Sequence, residues 1–266
     1  MNIDNAIEFV RANGSKFELE RLNCTLGREF DRDGVLKGFA SLQNPDGGFP
    51  YGDKKGFPSC MSNTTMALHT LLEMELLDTE PAAQGINFLL KSRKRNGIWE
   101  ENPKIKPLEP PFWDMPGDED TTTWLTAAAA EILRKAGRKV PKATFEYLAE
   151  KQGPDGRFRG FYHTTWIAVF LFRGNDAGKK TVRTRAIRFL EGADISDWDV
   201  SCIAWCLDSL KHGGVNPVSP LWDKFIDALS ESQEEDGSWP SDGGPLMRVR
   251  DANAVLSSVM DLQNCG

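Results

Sequence analysis

The chain has 266 residues, 40% of them hydrophobic, and its 39 acidic against 32 basic side chains give a net charge of −7. That is enough apolar material for one large core, and the acidic balance excludes a nucleic-acid surface and general attraction to anionic membranes. No apolar run approaches transmembrane length, and the polar start Met1 to Gly14 has no basic region followed by an apolar core, so no leader or membrane anchor is expected.

From the N-terminus, Ile3 to Ala12 and Lys16 to Leu26 read as an opening pair of helices. A short phrase then appears, QNPDGGF at Gln43 to Phe49, which ends an amphipathic helix with a glycine turn and an aromatic residue. It recurs as RKRNGIW at Arg93 to Trp99, QGPDGRF at Gln152 to Phe158 and QEEDGSW at Gln233 to Trp239. Recurrence of one supersecondary unit marks a repeat array. The step from Gln152 to Gln233 is much longer than those before it, and a degenerate copy fills it: Arg185 to Leu190 as helix, Gly192 to Ile195 as turn, Trp198 as the aromatic. One helical turn before each leading Gln or Arg stands an apolar side chain, Phe39, Leu89, Leu148 or Leu229. The aromatic after the turn is expected to fold back onto that face.

Between the phrases lie helices that are apolar nearly all round, at Ser62 to Leu77, Asp120 to Gly137, His163 to Phe172, Asp199 to His212 and Asp251 to Leu262. Such helices are buried on every side, whereas the phrase-bearing helices are amphipathic and charged. Their alternation predicts an all-α fold, an α/α barrel or toroid of about six helical hairpins with inner and outer rings, formed by residues 1–266 as a single domain. The only long irregular stretch is the proline-rich Glu100 to Gly117. Cys24, Cys60, Cys202, Cys206 and Cys265 lack paired spacing, so reduced thiols and a cytoplasmic location are expected.

Each inner helix opens on polar residues: Asn63, Thr64 and Thr65; Asp118, Asp120, Thr121 and Thr122; His163, Thr164 and Thr165; Asp199 and Ser201; Arg248, Arg250 and Asp251. If the inner helices run parallel, these clusters ring one mouth. Capping of helix N–H groups is a sufficient account of most of them. The segment GDEDTTTW, Gly117 to Trp124, asks for more, because one Asp caps a helix and here Asp118 and Asp120 share a start with Glu119 between them. Crowded carboxyls in a poorly solvated site oppose full ionisation, and a carboxyl that keeps its proton is a general acid. Phe112, Trp113, Trp124, Phe161, Tyr162, Trp166, Trp198 and Trp205 stand close to these clusters in sequence. Aromatic faces stabilise cations without attacking them, although for any single ring a place in the core is the commoner role.

At these residues the chain resembles a known family. The phrases look like the QW motif of squalene-hopene cyclases and related class II terpene cyclases, shared in looser form with protein prenyltransferase β subunits. Asp118, Asp120, Thr121 and Thr122 resemble the DxDTT variant of those cyclases' DxDD motif. The resemblance implies that Asp120 protonates an alkene or epoxide of a linear isoprenoid, a prenyl diphosphate or a squalene-like chain, while Asp118 orients it. The carbocation would cyclise against aromatic walls and end by proton loss or capture of water. His163, which opens the following inner helix, is either a capping or otherwise satisfied histidine or a hydrogen-bond partner that makes Asp120 a stronger acid. Active members of the family usually pair two barrels, so a homodimer, a second-barrel partner, or the stretch Glu100 to Gly117 as a lid is expected to complete the cavity.

No cofactor is implied unless the substrate is a diphosphate, which would call for magnesium or for basic residues, with Lys54, Lys55, Arg248 and Arg250 as candidates. No DDxxD run supports ionisation-driven chemistry, no Asp-x-Cys with a distant His supports zinc-dependent prenyl transfer, and no CGEQ thioester is present. Two other readings stand beside the cyclase: a non-catalytic α/α barrel that binds a lipid or protein partner, and a paired-carboxylate carbohydrate-active enzyme. An apolar aromatic cavity favours the cyclase, a filled interior the binding protein, and an open polar groove the carbohydrate enzyme.

Overall fold

A computed structural model describes residues 1–174 and 176–263, the last three of these by backbone alone, so Cys265 lies outside the described residues. The helices are α1 Ile3–Asn13, α2 Lys16–Thr25, α3 Arg32–Leu42, α4 Met61–Glu73, α5 Glu80–Ser92, α6 Glu119–Lys135, α7 Lys142–Glu150, α8 Tyr162–Leu171, α9 Ala177–Gly192, α10 Val200–His212, α11 Pro220–Glu231 and α12 Pro245–Gln263. A two-stranded antiparallel ladder joins β1 Phe49–Pro50 to β2 Ser59–Cys60, an addition to the first phrase that the sequence did not announce. No helix among the described residues is long and apolar enough to cross a membrane.

The helices group into two compact units, one of residues 36–189 and one of residues 1–35 with 190–266. The second is discontinuous because α12 packs on α1, α2 and α10, which binds the end of the chain to its beginning. Glu18, 2% exposed on α2, accepts hydrogen bonds from Asn253 Nδ2 on α12 (2.7 Å) and from Arg21 Nη1 (3.2 Å). In the other unit α6 packs between α4 and α8, with α5 against α4 and α7 against α6.

Burial follows the predicted alternation. In α6 all residues from Thr121 to Leu133 except Trp124 are buried, and α8 is buried from Thr164 to Leu171. In α5 burial is confined to one stripe, Pro81, Ala82, Gly85, Ile86 and Leu89, and in α11 to Leu221, Trp222, Phe225 and Leu229. Three boundaries depart from expectation, the first being α4, which ends at Glu73 rather than Leu77. Helix α9 begins at Ala177 rather than near Arg185, because its lysine- and arginine-rich start carries no apolar period to read. Helix α12 begins at Pro245, a residue suited to the first helical position, so Arg248 lies in its first turn while Arg250 and Asp251 lie within the helix rather than at its start.

The repeated phrase is a device for docking one hairpin on the next. Trp99 Nε1 donates to Leu89 O (2.7 Å) and Trp239 Nε1 to Leu229 O (2.8 Å), the fold-back that the spacing predicts. The backbone N–H of the aromatic donates to a threonine on a buried helix: Phe49 to Thr64, Trp99 to Thr126 and Phe158 to Thr165, at 2.9–3.0 Å. Gln43 Nε2 donates to Gly47 O and Pro81 O, Gln152 Nε2 to Gly156 O and Val182 O, and Gln233 Nε2 to Gly237 O and Asn2 O. Each Gln therefore holds its own turn and a helix that follows, and for the last copy that helix is α1. The turn glycine has positive φ in every full copy, and a side chain there would strike the neighbouring helix backbone, Arg185 O at Gly156 and Asn5 at Gly237.

Cys24, Cys60, Cys202 and Cys206 are not in disulfides. Burial pushes the Cys60 thiol up to about 12, and raises Cys202 and Cys206 above the ordinary range as well. A buried, protonated thiol is a poor nucleophile.

Candidate active site

The acidic motif occupies the first turn of α6. Asp118 is its N-cap: Oδ1 accepts from Thr121 N (2.8 Å), and the Asp118 carbonyl accepts from Thr122 Oγ1 (2.7 Å). Glu119 pairs with Lys151 Nζ at 2.7 Å and Arg159 Nη1 at 2.9 Å. Asp120 Oδ1 accepts from Arg159 Nε at 2.7 Å and from Gly160 N at 3.3 Å. The Glu119 and Asp120 side chains are 46% and 45% exposed, so the turn is not the poorly solvated site that crowding alone suggested. The Lys151 hydrogen bond, with the charges of Lys151 and Arg159, holds Glu119 below the usual carboxylate range. Two cations thus balance much of the negative charge that the sequence concentrates here. Arg159 was missed because it lies in the turn after a repeated phrase and contacts Asp120 only through the tertiary fold.

Around this turn the aromatic side chains divide. Phe112 and Trp113, in a single 3₁₀ turn at Phe112–Asp114, are 67% and 49% exposed, and their rings meet edge to face at 4.9 Å. Phe112 also meets Phe161 at 5.8 Å, and its carbonyl accepts from Thr121 Oγ1 (3.2 Å), which ties the irregular stretch to α6. Tyr162 at the start of α8 is 37% exposed, with the Arg157 guanidinium 4.5 Å from its ring centre. His163 lies between indoles, 6.3 Å from Trp124 and 4.8 Å from Trp166. Trp166 itself is 1% exposed and belongs to the core.

The remaining expected residues sit in the other unit. Trp198, half-buried, tilts against Phe225 at 5.9 Å, and Trp205 is half-buried on α10. Arg248 is engaged with the last repeated turn: it reaches Glu234, Asp236 and Ser238, donates to Trp239 O, and lies over the Phe9 ring at 5.4 Å. Arg250 Nε stands 3.7 Å from Glu18 Oε1. Burial raises Asp251, and the Asp199 charge adds to that. Asp199 caps α10 by accepting from Cys202 N (2.9 Å).

A second carboxyl pair, Glu101 with Asp114, escaped the sequence reading because both residues lie in the irregular stretch. Glu101 is 3% exposed and crosses to the start of α4, where it accepts from Met61 N (2.7 Å) and Ser62 N (3.0 Å), and from Asn102 N (2.6 Å). It serves as the cap that α4 lacks in its own sequence. Burial raises Glu101 although the three N–H groups oppose the rise. Burial first, then the Glu101 charge, pushes Asp114 up to about 6, and burial followed by the Asp114 charge raises Tyr51.

This gives a stability prediction. Because Asp114 binds its proton more tightly folded than unfolded, its contribution is present at low pH and is lost as pH rises from the ordinary carboxyl value of 3.8 through about 6. A shift of that size corresponds to about 2–3 kcal/mol. Asp114→Asn should remove that component, so urea melts at pH 4 and pH 7 should differ less in the variant than in the parent. An identical pH dependence in both would show that Asp114 is not buried in this way.

A shallow groove of about 580 Å³ lies beside the first phrase, lined by Asn44, Asp46, Phe57, Ser59, Asn102 and Lys104 among others. Its carboxylate is already engaged, since Asp46 Oδ1 accepts from Ser59 Oγ (2.7 Å) and Gly48 N (3.0 Å). It lacks the separated carboxylate pair that glycoside hydrolysis requires. Among the described residues no group of three or more His, Cys, Asp or Glu side chains is placed to hold a metal ion.

No protein-family model matches the chain, and no curated protein matches it in sequence. Solved structures do match. The apo type II terpene cyclase MstE from Scytonema aligns over 98% of this chain and 97% of its own, with TM-score 0.67 and 16% identity. A variant of the same enzyme in complex with geranylgeranyl dihydroxybenzoate, its substrate, aligns over 97% and 95% with TM-score 0.65 and 16% identity. A protein from Actinoplanes aligns over 97% of both chains with TM-score 0.64 and 15% identity. The likeness is one of fold, an all-α fold of the α/α toroid class shared with structures described as type II terpene cyclases. It runs over nearly the whole of each of these MstE chains.

Proposed function

We propose that the protein is a class II terpene cyclase that protonates a linear isoprenoid and guides its cyclisation. The observation that carries this reading is the pair Asp118 and Asp120 at the start of α6, in a fold shared with type II terpene cyclases over nearly its whole length. Asp120 is the general acid. Asp118, which accepts from Thr121 N, fixes the turn and orients its neighbour. In the first step the Asp120 O–H bond breaks and a C–H bond forms at the terminal alkene, leaving a tertiary cation. The π electrons of the next alkene close the ring, and loss of a proton or capture of water ends the sequence. The exposed rings of Phe112, Trp113 and Tyr162, with Phe161 beside Phe112 and Trp124 beside His163, are the walls that would stabilise the cation. His163 would serve in positioning, held between Trp124 and Trp166.

The substrate is a linear isoprenoid, either a prenyl diphosphate, a squalene-like hydrocarbon, or a chain joined to a hydroxybenzoate as in the MstE complex. Magnesium enters only with a diphosphate. One observation favours a second reading, a barrel that binds a lipid or protein partner without turnover: Asp120 is ion-paired and nearly half exposed. Incubation of the purified protein with farnesyl and geranylgeranyl diphosphates, geranylgeranyl dihydroxybenzoate and squalene, with and without magnesium, separates the two. The cyclase yields a cyclic product of the substrate's own formula, or one water heavier. Binding without product from any of the four would leave the second reading.

A further inference from the structure

We propose that Arg159 is a positioning residue for the acid: in the resting protein it holds Asp120 as a carboxylate at the start of α6, and the acid forms when a proton takes the guanidinium's place. The inference rests on the proposed role of Asp120. It goes beyond that role by naming what governs the protonation of that carboxyl.

The turn that carries Arg159 is built to lie where it does. Arg159 N donates to Lys151 O (2.8 Å), which fixes the turn to the end of α7. Gly160, at φ +88°, packs against the first turns of α6 and α8 so closely that a Cβ would lie 2.8 Å from Thr164 Oγ1, 3.1 Å from Asp120 O and 3.4 Å from Trp124 N. Only glycine permits both that backbone conformation and that approach. The Gly160 N–H then donates to the same Asp120 oxygen that Arg159 Nε reaches, so two donors from one turn converge on Oδ1. An ordinary surface arginine pair has no such backbone support.

The guanidinium also has somewhere to go. Its Nη1 already binds Glu119 Oε2 at 2.9 Å, and Glu119 has a further cation in Lys151. Asp118, Glu119 and Asp120 set against Lys151 and Arg159 leave one surplus negative charge, which a single proton on Asp120 removes. Protonation therefore costs the Arg159–Asp120 bond and leaves the Glu119 bonds standing. The Asp120 hydrogen bond, then the charges of Asp120 and Glu119, raise Arg159 above its usual value. Asp114 in the turn packed on α6, Glu146, Tyr147 and Glu150 on α7, and Arg157 and His163 beside and within α8 are further charged or titratable groups on the elements packed against this turn.

The test reads Asp120 directly. In protein labelled with ¹³C at the aspartate carboxyls, the Asp120 signal is the one lost in Asp120→Asn, and its titration is followed in the parent, Arg159→Gln and Arg159→Lys. Arg159→Gln should move the midpoint up by about 0.2–0.7 pH unit, the scale expected for a half-exposed pair, and Arg159→Lys should recover part of the difference. Raising the salt to about 1 M should move the parent in the same direction, a test that needs no variant to fold. An unmoved midpoint under substitution and under salt would overturn the proposal. The same variants scored for cyclisation should lose rate at higher pH than the parent does. Absence of any turnover in the parent would count against the proposed function, while the titration would still decide the role of Arg159.

Discussion

Asp120→Asn lowers cyclisation by on the order of 10²–10⁴-fold, the range associated with loss of a positioned general acid, and leaves the fold intact. Asn keeps the shape of the side chain and an oxygen that accepts from Gly160 N and Arg159 Nε, but it has no acidic proton to give. The stability cost is small because both partners of the ion pair are about half exposed, and such pairs contribute about 0–1 kcal/mol. Product formation under saturating isoprenoid and urea melts of both proteins measure the two halves of this prediction. Turnover retained at the parental rate would remove Asp120 from the mechanism, and a large loss of stability would assign it to the scaffold instead.

Trp99→Ala destabilises the fold by about 3–5 kcal/mol, the cost of emptying a large buried site. Trp99 is wholly buried, its indole N–H satisfies Leu89 O at 2.7 Å, and its backbone N–H is bonded to Thr126 Oγ1 on α6. Truncation removes the ring that links α5 to the enclosed helix, leaves a cavity, and strands a buried carbonyl. Trp99→Phe should cost less, about 1–3 kcal/mol, because Phe49 and Phe158 fill the same place in two other copies and only the indole bond is lost. Trp113→Ala, at a side chain 49% exposed, should stay within about 0.5 kcal/mol. Equal losses at Trp99 and Trp113 in urea unfolding would refute the docking role of the repeated phrase.

What the sequence reveals here is what spacing alone decides. The distance from Leu89 to Trp99 or from Leu229 to Trp239 is local, so the fold-back is legible in the sequence itself. The alternation of striped helices such as α5 with enclosed ones such as α6 likewise follows from period and composition. The partners that give the site its electrostatics are remote in sequence. Arg159 meets Asp120 across a helix and a turn, and Glu101 caps α4 from well downstream. Neither residue type carries a local signal for such a contact, since arginines and glutamates are ordinary on helical surfaces. The early start of α12 was hidden for a different reason: two glycines and a proline ahead of Leu246 read as a turn, although proline is also a good opening residue for a helix.

The most direct test of acid-initiated cyclisation is turnover in D₂O with isotopic analysis of the product. The carboxyl proton of Asp120 exchanges with solvent, so a cyclisation begun by that group places one solvent deuterium on the CH carbon of the substrate's terminal alkene, the carbon next to the tertiary cation. A cyclic product carrying that label in the parent, and no product in Asp120→Asn, is the predicted result. A cyclic product formed without incorporation of solvent deuterium, or equal labelled product from the Asn variant, would contradict it.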